Sequence, residues 1–144
     1  MKILRAEEKH IDAMLDLERA CFSRPWSRQG IEYEVNSPDA AVAAAMEGDN
    51  LIGFAIVHRV ADEGELFNIA VNPNHRGKGI GRELLACVTD KARLLGACRL
   101  YLEVRRSNES ALALYRGAGW QVCGVRKNYY EAPAEDAILM EVEL

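Results

Sequence analysis

The sequence lacks the features that mark membrane, secreted and metal-binding proteins. No apolar run approaches the roughly eighteen residues of a transmembrane helix, and the N-terminal segment carries no apolar signal region. The four cysteines form no C-x-x-C pair, and the three histidines stand apart from them. We therefore expect a cytoplasmic protein with no membrane partner, no metal and no disulfide framework. Cys87 and Cys98 lie in or beside apolar runs and are expected in the core.

An excess of basic residues is also absent. Eighteen Lys and Arg stand against 22 Asp and Glu, for a net charge of −4. This balance does not favour direct binding of nucleic acid, whereas it is compatible with a cationic acceptor. With 144 residues, 49% of them apolar, we expect a single domain spanning 1–144. No feature of the sequence specifies an oligomeric state.

Hydrophobic periodicity predicts alternating strands and helices in the order β-α-α-β-β-β-α-β-α-β-β. This order indicates a mixed α/β sheet whose first part is antiparallel. The predicted strands are 2–6, 40–46, 51–60, 65–71, 99–104, 121–126 and 137–142, and the predicted helices are 7–22, 27–35, 80–95 and 108–118.

A glycine-rich run, 76–82, joins the strand 65–71 to the helix that follows it. Glycines allow backbone N–H groups to approach an anion closely, and a helix N-terminus adds roughly half a positive charge. The three cations Arg76, Lys78 and Arg82 suit a ligand with several phosphates. The alternative is a tight turn whose basic side chains are merely solvated.

The spacing of the glycines narrows the choice of phosphate ligand. A P-loop needs Gly-Lys-Ser/Thr at its end, but Ser or Thr does not follow Lys78. The dinucleotide pattern is G-x-G-x-x-G, whereas Gly77, Gly79 and Gly81 are spaced G-x-G-x-G. A dinucleotide ligand stays an alternative, because Glu103 follows the glycine loop at the distance expected of an acidic residue that binds the ribose.

Arg76, Gly79 and Gly81 form an Arg-x-x-Gly-x-Gly pattern that resembles the acyl-CoA pyrophosphate loop of the GNAT N-acetyltransferases. The similarity covers nearly the whole chain. The segments that resemble the bacterial ribosomal-protein-alanine N-acetyltransferases are Pro25-Trp26-Ser27, 67–73, 102–105, Ser107-Asn108, 113–115, Gly119-Trp120 and 128–130. The resemblance implies the GNAT fold, α/β in class, with a mixed sheet of about seven strands and four helices. In that fold strands four and five splay apart to hold acetyl-CoA.

The resemblance also implies a cofactor site made largely of backbone. Main-chain groups of Ile69, Ala70 and Val71 would pair with the pantetheine arm of acetyl-CoA. Asn108 would contact the cofactor from the start of its helix, where its other expected role is the N-cap. The pyrophosphate would lie on the loop formed by Arg76, Gly77, Lys78, Gly79, Ile80, Gly81 and Arg82.

Two side chains are candidates for the chemistry. Glu103 interrupts an apolar strand and is the candidate base, and Tyr115 is the candidate acid for the departing thiolate. Periodicity alone predicts that Glu103 is a surface residue paired with an arginine and that Tyr115 is an aromatic residue of the core. The family resemblance favours the catalytic interpretation of both. Glu65 is a second possible base.

The implied reaction is direct transfer of the acetyl group from acetyl-CoA to a protein N-terminal α-amine. By resemblance the acceptor is the N-terminal alanine of a small-subunit ribosomal protein. Trp26, Tyr129 and Tyr130 are the expected walls of the acceptor site. Two alternatives stay open: a GNAT enzyme acting on a small amine or protein lysine, and a non-catalytic acyl-CoA-binding module.

Overall fold

One mixed sheet runs through the protein, in a computed structural model that describes residues 1–131 and 133–144. Its seven strands are β1 (Lys2–Arg5), β2 (Ala40–Glu47), β3 (Asn50–Val60), β4 (Glu63–Val71), β5 (Arg99–Arg105), β6 (Gln121–Tyr130) and β7 (Glu135–Glu143). The helices are α1 (Ile11–Cys21), α2 (Arg28–Asn36), α3 (Ile80–Leu94) and α4 (Glu109–Gly117). The strands lie in the order β1-β2-β3-β4-β5-β7-β6.

The predicted order of elements is confirmed. Ser27 caps α2 as expected, because its Oγ accepts a hydrogen bond from the Gly30 N–H at 3.1 Å. The first helical stretch differs in detail, since a 3-10 turn at Glu8–His10 precedes α1. The last hairpin is longer than predicted, because β6 continues to Tyr130 through an irregular segment with weak hydrophobic alternation.

The first four strands pair antiparallel, and β4 then pairs parallel with β5. That parallel pairing covers three residue pairs, from Glu63–Arg99 to Glu65–Tyr101. Beyond it, the described residues show no further pairing between β4 and β5, while β5 continues to pair with β7. The two neighbouring strands therefore separate towards their carboxyl ends, as the family resemblance implied.

Helices cover the two faces of the sheet unequally. On one face α3 and α4 pack over an apolar layer that includes Leu84, Leu100 and Leu102. On the other face α1 and α2 cover strand residues from β2, β3 and β4, among them Phe54 and Ile56. The part of this second face formed by β5, β7 and β6 lies outside that cluster and keeps polar side chains near the surface.

The cysteines follow the expectation only in part. All four are free thiols. Cys87 is half-buried against the α3 layer, but Cys98 is exposed, so its expected place in the core is wrong. Cys98 precedes β5 after the helix-terminating Gly96, where the chain is still at the surface. Among the described helices, none combines the length and the apolar character needed to cross a membrane.

Gly53 lies where β3 approaches both β4 and α3, and it generates a first prediction. A Cβ at this position would meet the Ala70 carbonyl oxygen at 2.9 Å and the Leu84 Cδ1 at 3.0 Å. We expect Gly53→Ala to lower the free energy of unfolding by about 1–3 kcal/mol, because a backbone atom cannot move aside easily. Urea denaturation measures the change.

Gly117→Ala, in the last turn of α4, is the matched control. A Cβ there meets no heavy atom within 4 Å, so this variant should be as stable as the wild type or slightly more stable. Equal stability of the two alanine variants would show that the close approach at Gly53 is misplaced.

Candidate functional site

The separation of β4 from β5 leaves a backbone edge of β4 facing a gap. Ile69, Ala70 and Val71 lie on this edge and line a cavity of about 410 Å³ at the carboxyl end of the strand. Buried N–H and C=O groups need hydrogen-bond partners. An extended ligand with amide groups could supply them by lying beside β4 as an additional strand.

The N-terminus of α3 forms the far end of the same cavity. Gly77 and Gly79 have positive φ values of +79° and +82°, a left-handed backbone that favours glycine. Gly79 is the N-cap residue and has no side chain to cap the helix, so the first N–H groups of α3 are open to a ligand. Ile80 is buried and fixes the helix to the sheet. The loop is therefore arranged to receive an anion.

The cavity brings together most of the residues predicted to bind the cofactor. Its lining contains Ile69, Ala70, Val71, Arg76, Gly77, Gly79, Ile80, Gly81, Arg82 and Asn108. Lys78 belongs to the same loop but is not part of the lining, so its contact with a ligand stays a prediction. Asn108 also caps α4, because its Oδ1 accepts a hydrogen bond from the Ala111 N–H at 3.2 Å.

Arg76 is held in place by the end of β4. Its Nε donates to the Val71 carbonyl oxygen at 3.3 Å, and its Nη2 lies 3.6 Å from the Cys21 sulfur. Cys21 and Phe22, at the end of α1, line the cavity although the sequence analysis did not include them. They lie some fifty residues before the loop in the chain, so no local sequence pattern indicates the contact.

Glu103 and Tyr115 lie on opposite faces of the sheet. Glu103 stands between Leu102 and Val104, which are both buried in the layer under α3 and α4, so its own side chain faces the other way. Tyr115 lies in that buried layer, with its ring centroid 5.8 Å from that of Trp120. Burial raises the pKa of the Tyr115 hydroxyl, and the neighbouring Tyr130 raises it further.

The Glu103 carboxylate has cationic and phenolic neighbours on β6. Its Oε1 lies 3.4 Å from Nη1 of Arg126, and the Glu103 side chain is half-buried while that of Arg126 is exposed. Hydrogen bonding to Glu103 and the charge of that carboxylate raise the pKa of Tyr129. Because the Arg126 side chain is exposed, this ion pair contributes little to stability and can rearrange when a ligand arrives.

Glu65 lies on the same face as Glu103, near the last residue pair that joins β4 to β5. Partial desolvation raises the pKa of the Glu65 carboxyl, the nearby negative charge of Glu103 adds to this effect, and Arg126 opposes it. Two carboxylates therefore share one small region, and a proton or a cationic group is favoured between them.

The three predicted wall residues fall into two places. Tyr129 and Tyr130 lie beside Glu103 and contact each other edge to face, with centroids 5.1 Å apart. Burial is the main cause that raises the pKa of Tyr130 to about 12, and the Glu103 charge adds to it. Trp26 lies on the β4 side instead, where it packs against Phe67 with centroids 5.3 Å apart.

A bulge in β6 places the two tyrosines. Asn128 has a φ of +51°, a left-handed backbone that asparagine tolerates better than most residues. Its N–H donates to the Asp136 carboxylate at 2.9 Å, and the register with β7 shifts between Arg126 and Tyr130. Asparagine followed by two aromatic residues was the only signal in the sequence, and it did not reveal the bulge.

In residues 1–131 and 133–144, no group of three or more His, Cys, Asp or Glu side chains is arranged to hold a metal ion. The site described above is thus composed of backbone edges, a helix N-terminus, carboxylates and phenols.

The chain matches known proteins along nearly its whole length. Residues 11–120 match the model of the acetyltransferase (GNAT) family. The [ribosomal protein bS18]-alanine N-acetyltransferase of Escherichia coli K12 is 34% identical over 140 residues, which cover 96% of this chain and 94% of that protein.

Solved structures agree with this match. The crystal structure of the ribosomal-protein-S18-alanine N-acetyltransferase from Escherichia coli superposes with a TM-score of 0.90 at 33% identity, covering 99% of this chain and 92% of that one. The structure of yncA from Salmonella typhimurium with its cofactor acetyl-CoA has a TM-score of 0.87 over 100% of this chain and 94% of that one. At 21% identity, the second comparison shows a shared fold.

The left-handed Gly79 generates the second prediction, which concerns coenzyme A, the ligand expected from the loop pattern. Valine tolerates the φ of +82° poorly, and its side chain would stand at the open end of α3. We expect Gly79→Val to weaken coenzyme A binding by at least about tenfold, because strain of roughly 1–2 kcal/mol accompanies the steric block. Isothermal calorimetry measures the affinity.

Gly96→Val provides a control with the same kind of strain, since Gly96 has a φ of +104° at the opposite end of α3. It should bind coenzyme A like the wild type at a temperature where both are folded. A folded Gly79→Val protein with unchanged affinity would show that the loop does not hold the diphosphate.

Proposed function

The chain belongs to the acetyltransferase (GNAT) family, and on this basis we propose that it acetylates a protein N-terminal α-amine with acetyl-CoA, the acceptor being the N-terminal alanine of a small-subunit ribosomal protein. The observation that carries the proposal is the gap between β4 and β5. The gap runs to the glycine loop of α3 at one end, and Glu103 and Tyr115 lie outside the lining of that cavity, on opposite faces of the sheet. A ribosomal-protein acceptor would place the reaction in the cytoplasm.

Acetyl-CoA would bind along β4 and across the N-terminus of α3. The pantetheine amides would pair with the free edge at Ile69, Ala70 and Val71, and the pyrophosphate would accept hydrogen bonds from the first N–H groups of α3. Arg76 and Arg82 line the cavity and supply positive charge there. Asn108 would contact the cofactor from the start of α4.

The acceptor amine must lose its positive charge before it attacks. An α-amine has a pKa of about 8, so about a tenth is neutral at pH 7, whereas a lysine amine with a pKa of about 10.4 is neutral in less than one part in a thousand. One carboxylate can therefore suffice for an α-amine. Glu103 is our candidate base, because its side chain faces the open part of the sheet beside the gap.

The departing thiolate needs a proton or a hydrogen-bond donor. Tyr115 lies on the α4 side of the sheet with a hydroxyl whose pKa is raised by burial, so it stays protonated at neutral pH. It would donate to the sulfur as the thioester opens. Burial raises the pKa of the phenol and of a thiol formed beside it alike, so the position of Tyr115 at the sulfur must favour the proton transfer.

Negative charge on the open face favours a cationic acceptor. A second cavity of about 530 Å³ lies on this side of the sheet, and its lining includes Asp62, Glu63, Glu65, Phe67 and Tyr101. Glu65 belongs to both this cavity and the neighbourhood of Glu103. An N-terminal ammonium group and basic residues after it would be attracted to this surface. The named relatives, which act on ribosomal protein bS18, support a protein acceptor.

Thiol release from acetyl-CoA tests the acceptor class. We expect turnover with a short peptide that has a free N-terminal alanine, and at least about a hundredfold less with the same peptide N-blocked and carrying a lysine, because the lysine amine is mostly protonated. Turnover of the blocked peptide at an equal rate would contradict the α-amine proposal. Coenzyme A binding without turnover of either peptide would indicate a non-catalytic binding module.

Glu103→Gln tests the base, with Glu65→Gln as its matched control on the adjacent strand. We expect the first variant to lower kcat by about 10²–10⁴-fold while coenzyme A affinity is kept, because glutamine cannot accept the amine proton. Glu65→Gln should retain most of kcat. A large loss in the Glu65 variant with little change in the Glu103 variant would transfer the role of base to Glu65.

A further inference from the structure

A buried carboxylate on α1 has no part in the reaction described above. Glu18 is 0% exposed and lies among apolar side chains such as Met14 and Leu15 of the same helix. Removing a carboxylate from water is costly, and burial raises the pKa of Glu18. A charge in such a place requires a reason other than packing.

The carboxylate joins three segments of the chain. One oxygen accepts a hydrogen bond from the backbone N–H of Trp26, in the loop after α1, at 2.8 Å. The other accepts from the side-chain amide of Asn68, on β4. Glu18 therefore connects α1 both to the loop that carries the candidate acceptor wall and to the strand that borders the cofactor gap.

Asn68 can reach Glu18 because β4 is irregular at this point. Opposite β3, Asn68 faces Ile56 and Leu66 faces Val57, so Phe67 is an additional residue in β4. Leu66 and Ile69 belong to the α3 layer, whereas Phe67 packs in the α1 layer and Asn68 bonds to α1. The bulge thus directs two consecutive side chains to the α1 face.

Trp26 is consequently fixed to β4 at two points. Its ring packs against Phe67, and its backbone N–H is joined to Asn68 through Glu18. Both contacts lie directly before the segment 69–71, whose backbone borders the cofactor cavity. These contacts fix the position of the loop that contains Trp26 relative to the segment 69–71.

We propose that Glu18 is a positioning residue, whose carboxylate holds the Trp26 loop against the bulged part of β4 and so keeps the acceptor wall in register with the cofactor strand. The proposal rests on the proposed function, since it assumes that Trp26 contacts the acceptor.

A purely structural role predicts a different behaviour. Replacing a buried ion pair as a unit by apolar side chains is often neutral, but removing only the acceptor leaves its donors unpaired, here the Trp26 N–H and the Asn68 amide. Methionine at position 18 would extend the apolar face already formed by Met14 and Leu15. A loss of activity larger than that of an equally destabilised core variant, at a temperature where both are folded, therefore separates positioning from packing.

The test compares Glu18→Met with Glu18→Gln in the full chain. We expect Glu18→Met to lower the melting temperature no more than Leu15→Ala does and, at a temperature where it is folded, to raise the KM for an N-terminal alanine peptide by on the order of tenfold to a hundredfold, because the loop is no longer fixed. Glu18→Gln should rescue most of this loss. Its oxygen can accept from Trp26, and its amide can donate to the Asn68 side chain after that amide rotates.

Acrylamide quenching of tryptophan fluorescence provides a readout that does not need turnover. Trp120 is buried, so quenching reports mainly on the half-buried Trp26. Glu18→Met should increase quenching, and Glu18→Gln should not. If the wild type fails to turn over the peptide, the proposed function fails, while quenching still decides whether Glu18 fixes the loop.

Leu15→Ala serves as a control for general destabilisation, since Leu15 is buried on the same helix. It should lower the melting temperature and leave both quenching and KM unchanged at a temperature where it is folded. Asn68→Ala removes the same network from β4 and should raise the KM as well. Unchanged quenching and KM in the Glu18→Met and Asn68→Ala proteins, or losses that follow the melting temperature, would overturn the proposal.

Discussion

The parting of β4 from β5 after three residue pairs determines where the sheet can accept a ligand. A strand inside a sheet normally satisfies its backbone on both sides, but the carboxyl-terminal half of β4 does so on the β3 side alone among the described residues. The chain then turns through Gly77 and Gly79 into α3, so an open strand edge and an uncapped helix end lie against one cavity. Both are backbone features, so this part of the cavity depends on backbone geometry more than on the side chains at 69–71.

Positive and negative charges lie in different parts of the site. Cations stand on the glycine loop, whereas carboxylates stand on the open face of β4 and β5, and the phenols of Tyr115 and Tyr130 are kept protonated by burial. Glu103 is half-buried and pairs with the exposed Arg126. The fold thus places its cationic loop and its cluster of carboxylates in different parts of one site.

The sequence was sufficient for the order of elements, because most helices and strands show hydrophobic periodicity and several helix ends are marked by residues such as Ser27, Gly96 and Asn108. It also predicted the glycine loop and most of the cavity lining, since these residues are contiguous or belong to a recognisable pattern. It did not predict the contact of Cys21 with Val71, the bond between Glu18 and Asn68, or the exposure of Cys98. The first two join residues fifty positions apart, and such contacts leave no periodic signal. The left-handed Asn128 was missed because a bulge depends on the partner strand and on Asp136.

The unequal covering of the sheet affects how ligands can reach the enzyme. Helices α1 and α2 cover their face of the sheet only as far as β4, so β5, β7 and β6 form an uncovered flank on that face. The cavity at the carboxyl end of β4 is a separate opening. This flank and the cavity at the end of β4 are lined by different residues, so a ligand bound in one leaves the other uncovered.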